Sequence, residues 1–180
     1  MAVKTFTTEV LTSADTNTYL ANSGLVYVTS ATIGTGVSSF VVASCFSATY
    51  DNYRIKITGM TGTAAADTTF QLTGITTGVY ITQGFYQLLA NATINGYTTT
   101  ATTMPIGTMA TTQNTQITID ISSPFSAVTK YADTNTASAT LRANSGSQIA
   151  STVQSTGFTI APASGTISGG TITVYGYRKA

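Results

Sequence analysis

Apolar and polar residues alternate strictly in three stretches of the chain, and each predicts a β-strand with one wet face. The clearest runs Tyr53-Arg54-Ile55-Lys56-Ile57-Thr58, with Tyr53, Ile55 and Ile57 on one side and both cations on the other. The second is Gln116 to Ile121, and the third is Thr171 to Tyr177. Looser patterns predict further strands at Leu25 to Thr29, Ser38 to Phe46, Thr69 to Thr73, Val79 to Leu89, Thr136 to Arg142 and Gly157 to Ile160. Between them lie clusters of Gly, Asn, Ser and Thr, the residues of turns. Thr98 to Pro105 and Thr61 to Asp67 are expected as long surface loops. About nine short strands at this spacing predict an all-β fold, an antiparallel β-sandwich or jelly roll.

One short helix is expected, at the N-terminus. Thr12 or Ser13 can cap a turn that runs to Asn22, with Asp15 or Glu9 near its positive end and Asn22 and Gly24 as a stop. It is brief and Thr-rich, so it needs tertiary contacts to persist. It has two readings: a plug for one end of the sandwich, or an element that docks on a neighbouring subunit or larger particle. The second divides the chain into a docking arm over residues 1–24 and a β-sandwich domain over residues 25–180, with Phe6, Leu11, Asn17, Tyr19 and Leu20 as candidate docking residues.

Composition narrows the chemistry. The 180 residues carry seven Lys or Arg against six Asp or Glu, a net charge of +1 and a charged share of only 7%. About a fifth of the chain is Thr, so hydroxyls and amides must keep it in solution. Such a surface neither attracts polyanions nor repels its own copies, which suits a protein packed into an assembly. The scattered cations give nucleic acid no electrostatic footing. Histidine is absent, and with it the Ser-His-Asp and Cys-His arrangements and imidazole metal ligands. Cys45 is the single cysteine, sits in an apolar run and is expected as a plain buried thiol. No cofactor or metal is expected. The opening residues lack the apolar core of a secretory signal, and no run approaches the ~20 apolar residues of a membrane span. Synthesis in a cytoplasm without export by that route or membrane insertion is the expectation.

Catalysis would have to rest on carboxylates, of which there are Glu9, Asp15, Asp51, Asp67, Asp120 and Asp133. Asp120 lies on the polar side of an Ile-lined strand, the place of a solvated face residue. No enzymatic activity is expected unless the fold brings two Asp together with one raised pKa. The glycine-rich Gly34-Thr35-Gly36 and Gly165 to Gly170 lack the following Lys and helix of a phosphate loop and predict turns. Binding is what remains. Ten Tyr and no Trp offer flat apolar area with a hydroxyl, suited to subunit interfaces and sugar stacking. Most should close sandwich edges, leaving Tyr80, Tyr86 and Tyr97, expected on loops, as candidates for surface or receptor contact.

Three blocks carry a resemblance. Phe6 to Leu20, with its Leu11-Thr12-Ser13-Ala14-Asp15-Thr16-Asn17-Thr18-Tyr19-Leu20, resembles the segment that begins many small structural proteins of tailed bacteriophages. Phe46 to Ile55, and the ending Gly157 to Ile160 with Gly169 to Arg178, are similar to later blocks of that family. The resemblance implies a non-enzymatic virion protein found in tail fibres, appendages or head decorations, commonly a homotrimer bound to other phage structural proteins. The length, without heptads or a collagen-like repeat, fits a compact knob rather than a long shaft. The expected function is a tail-fibre or appendage knob contributing to adsorption on a host surface glycan or protein. The alternatives are a capsid decoration (cement) protein and a stand-alone carbohydrate-binding lectin-like module.

Overall fold

A computed structural model describes residues 24–77, 79–90, 94–139 and 141–178. The expected helix and the docking candidates Phe6, Leu11, Asn17, Tyr19 and Leu20 lie outside them. Among the described residues the secondary structure is all β. In chain order the strands are β1 (Leu25–Thr32), β2 (Thr35–Val37), β3 (Phe40–Val42), β4 (Asn52–Gly62), β5 (Asp67–Leu72), β6 (Tyr80–Leu88) and β7 (Ile94–Ala101). Then come β8 (Met104–Thr108), β9 (Thr115–Ser122), β10 (Lys130–Ala137), β11 (Leu141–Ile149), β12 (Phe158–Pro162), β13 (Ile167–Ser168) and β14 (Thr171–Tyr177).

These strands form two antiparallel sheets, as a sandwich requires. The larger has ten strands in the order β1-β14-β4-β9-β10-β11-β6-β7, with β13 joining β2 to β4 beside that path. The smaller has the order β3-β12-β5-β8. Alternation does the layering: in β4, β9 and β14 the aliphatic set Ile55, Ile57, Ile117, Ile119, Ile121, Ile172 and Val174 is buried, and their neighbours face out. These side chains meet Val42, Phe70, Leu72, Met104, Ile106, Phe158 and Ile160 from the smaller sheet in one core cluster. At its centre Phe70 and Phe158 stack with ring centroids 4.9 Å apart.

Several expectations need correction. Most of Thr98 to Pro105 is strand rather than loop: Thr98 to Ala101 complete β7, an edge strand whose outer positions are solvated, and Met104-Pro105 begins β8, with only Thr102 and Thr103 as the bend between them. Thr136 to Arg142 is not one strand but a hairpin, with the Ser138 N–H donating to the Leu141 carbonyl at 2.9 Å. The two glycine-rich stretches find each other, since Thr35 and Val37 of β2 pair with Ser168 and Ile167 of β13.

Glycine enables one bend that shapes the large sheet. Gly59 has φ +70°, a left-handed value, at the irregularity between Ile57 and Met60 of β4. Such a bulge turns the strand. Before it β4 pairs with β14 at Thr58, and beyond it Thr61 pairs with Ser168 of β13.

Polar anchors close the sandwich end. Lys130 is fully buried, and its Nζ donates to the carbonyls of Ser126 at 3.1 Å, Val128 at 2.7 Å and Ser151 at 2.8 Å. All three ammonium protons are thereby used, although burial still holds the group below the ordinary lysine range. Tyr53 makes a similar anchor: its hydroxyl accepts from the Ser47 N–H at 2.8 Å and donates to the Ser47 carbonyl at 2.9 Å.

Candidate functional site

The strand register decides which side chains share the outer face of the large sheet. Asp120 of β9 is opposite Asp133 of β10, Asp133 is opposite Gly146 of β11, and Gly146 is opposite Gln83 of β6. Two residues along, Thr118, Asn135, Asn144 and Phe85 form a second row across the same four strands. The two rows line an open trough of about 520 Å³. Four strands at about 4.8 Å spacing make it roughly 15 Å wide across the sheet. Gly146 lines it without contributing a side chain between Asp133 and Gln83.

The charges at one end are already committed. Arg54 of β4 grips Asp120 in a forked contact, Nε to Oδ1 and Nη2 to Oδ2, both at 2.8 Å. The Tyr177 hydroxyl donates to the same Oδ1 at 2.7 Å, and the guanidinium carbon lies 5.7 Å from the Tyr177 ring centroid. Burial pushes the Asp120 carboxyl up, but the bonds from Arg54 and Tyr177 outweigh it and leave the group below the usual carboxylate range. The same contact raises Arg54, and burial followed by the Asp120 bond raises Tyr177. Asp120 is therefore an ion-pair partner rather than the simple solvated residue expected from sequence. Two carboxylates do share one trough, but Asp120 stays ionised, the wrong state for a proton donor.

Away from the Arg54–Asp120 pair the trough offers a ligand directional amides, with Asp133 as an exposed carboxylate. Asn135 Nδ2 donates to Asn144 Oδ1 at 2.6 Å. That bond fixes both amides and leaves one amide oxygen and one amide NH2 facing solvent. Asp133 and Gln83 are exposed beside them, and the Phe85 ring, 51% exposed, forms an apolar wall.

The tyrosines expected to make surface contact stand elsewhere. Tyr80 is fully buried; its hydroxyl accepts from the Leu72 N–H at 2.8 Å and donates to the Ile75 carbonyl at 3.2 Å, and burial pushes it up to about 12. It belongs to the core because period-2 alternation from Thr82 turns it inward. Tyr86 and Tyr97 lie on β6 and β7 rather than on loops. Both are half-buried on the inner side near the sheet edge, their rings 6.4 Å apart, away from the trough. Sequence reasoning missed Asn135, Asn144, Gly146, Gln83 and Phe85 altogether. Cys45 is a buried thiol pushed up to about 12 by that burial.

Among the described residues no group of three or more Cys, Asp or Glu is placed to hold a metal ion, and no helix is long and apolar enough to cross a membrane. Compared with known protein families, characterised proteins and solved structures, the chain matches none.

Proposed function

We propose that this chain is a non-enzymatic structural and adhesive protein of a bacteriophage virion, a tail-fibre or appendage knob. In this reading its N-terminal segment docks on other virion proteins and the outer face of the large sheet is turned toward a host surface. The observation that carries the adhesive part is the outer face itself, where an open trough of amides, a carboxylate and a phenyl ring is left to solvent while the opposite face builds the core. The virion part rests on the likeness of Phe6 to Leu20, Phe46 to Ile55 and the C-terminal block to phage structural proteins.

Assembly as a homotrimer belongs to the same proposal. The strands that end the two sheets, β1, β7, β3 and β8, carry no Lys, Arg, Asp or Glu, and only β8 has a proline. Unguarded edges of this kind are safe when neighbouring copies or partners cover them. They equally favour the second reading, a cement protein that clamps capsid subunits.

Antibody labelling of purified particles tests the proposal. Label at the tail tip, and particles that keep their shells but fail to attach when the chain is missing, are the expected results. Label over the capsid, with particles that attach and then leak on heating, selects the cement reading. Particles without the chain overturn both.

A further inference from the structure

We propose that the trough on the outer sheet face is a binding site for a short, uncharged oligosaccharide, with Phe85 as the ring platform and Asp133, Asn135, Asn144 and Gln83 as hydroxyl partners. The inference rests on the adhesive reading above and names its ligand.

The first argument is the cost of the residues present. Asp, Asn and Gly are depleted from strands because they favour turns or leave nothing to pack. Here Asp133, Asn135, Asn144 and Gly146 occupy the middle of β10 and β11, two interior strands of the sheet. Their inward-facing neighbours are ordinary core or hydroxyl residues, so the fold alone makes no demand for them.

The second is electrostatic. An anionic ligand needs a free cation, and the trough's lining has none; of the cations on the same face, Arg54 is occupied by Asp120 and Tyr177 and Arg142 by the Ser138 and Leu141 carbonyls, while Lys56 stands outside the lining on β4, across from Thr118. Asp133 repels phosphate, sulfate and carboxylate. A cationic ligand would find one exposed carboxylate among neutral amides, weak payment for desolvation. Sugar hydroxyls instead need alternating donors and acceptors, which the fixed Asn135–Asn144 pair supplies next to the Asp133 carboxylate.

The third is shape. A trough of about 520 Å³ lies within the ~300–1,000 Å³ range of small-molecule sites, and its length across four strands suits several linked rings better than one. Phe85 presents its exposed ring at the far end from the Arg54–Asp120 pair, where the apolar face of a sugar can stack.

Gly146 allows a test that separates binding from folding. It has no left-handed backbone value, and a Cβ built there meets only Asp133 Oδ1, at an ordinary 3.5 Å. Gly146→Val should therefore fold at least as well as the wild type, since a branched side chain favours a strand, while filling the floor of the trough. The probe is an array of neutral gluco-, galacto- and manno-oligosaccharides printed beside their sulfated and sialylated forms, followed by calorimetric titration of the best neutral tetrasaccharide. Expected are binding to neutral sugars only, at least tenfold weaker binding by Phe85→Ala and Asp133→Ala, and none by Gly146→Val at unchanged melting temperature. No neutral sugar bound at millimolar concentration, a preference for acidic sugars, or full binding by Gly146→Val would each overturn the assignment. Labelling of whole host cells by wild type and Gly146→Val alike, with an empty array, would overturn the sugar site while leaving the adhesive reading standing.

Discussion

Replacing Lys130 with Met removes the ammonium that ties three loop carbonyls to the start of β10. The side chains are similar in length, so packing is largely kept and the loss falls on the bonds to Ser126, Val128 and Ser151. Hydrogen bonds to a charged group contribute about 1.5–3 kcal/mol each. The lower figure applies, because Val128 is exposed and Ser126 and Ser151 are half-buried, letting water reach the freed carbonyls. Three bonds then total roughly 4–5 kcal/mol, of which the burial of Met's apolar thioether and methyl in place of the ammonium offsets about 2 kcal/mol. The net expectation is destabilisation by about 2–3 kcal/mol, or a fall in Tm of about 5–10 °C for a chain of this size. Urea denaturation followed by tyrosine fluorescence should show a lower midpoint with an unchanged slope. A Tm within about 2 °C of wild type would mean that water serves the carbonyls as well as the ammonium does, and the argument from three saturated donors would fail.

Asp120 sets an acid dependence: its folded-state pKa is depressed, so the stability it contributes is present above the unfolded carboxylate value and lost as pH falls through the lower folded value. Asp120→Asn should flatten that acid limb by no more than about 1 kcal/mol, since the pair is a third exposed and screened; a limb as steep as wild type's would contradict the assignment. Tyr80→Phe leaves the Leu72 N–H and the Ile75 carbonyl unpaired in the core and should cost about 1–3 kcal/mol in urea titrations, whereas an unchanged midpoint would show that another group takes over the bonds. Gly107→Ala should prevent folding or cost more than about 3 kcal/mol, because its φ is +117° and the new Cβ would collide with the Thr136 side chain. A well-dispersed NMR spectrum at wild-type stability would refute that contact.

How much of this could be read from the sequence depends on where the aliphatic residues fall. Strands β4, β9 and β14 were legible because large Ile and Val alternate with polar residues, and burial of one face leaves them a single register. Strands β7, β8 and β11 were not. Ile94-Asn95-Gly96 and Asn144-Ser145-Gly146 have the composition of turns, and Met104-Pro105 has that of a strand break. The signal for β11 was present in Leu141, Ala143, Ser147 and Ile149, all buried at period two, but small and hydroxyl residues register weakly as apolar. The meeting of Asp120 with Asp133 also had a visible cause: a turn centred between Ser126 and Ala127, marked by Pro124 and its serines, places residue 120 opposite residue 133. Tyr80 shares the inward parity of Thr82, but the sequence did not mark that parity as the buried one, since the apolar Ile81 and Phe85 fall on the other and are exposed.

The trough and the layer beneath it are two sides of the same strands. Under β4 and β9 the inner face is built from Tyr and Ile, but across β10 and β11 it changes to Ala132, Thr134, Thr136, Ala143, Ser145 and Ser147. Small side chains let β8 approach closely, and there the Thr136 hydroxyl donates to the Ile106 carbonyl while Gly107 lies against the Thr136 side chain. Farther along, the Thr82 and Ser147 hydroxyls bond each other at 2.8 Å. Aliphatic packing tolerates small sliding motions, whereas hydrogen bonds are directional and penalise them. A slip of one residue in β10 would bring Thr134 and Thr136 to the outside and Asp133 and Asn135 into the core. The Thr136–Ile106 and Thr82–Ser147 bonds therefore help hold in register the strands that carry Asp133, Asn135, Asn144 and Gly146, and they supply the preorganisation that the proposed sugar site needs to recognise a flexible ligand.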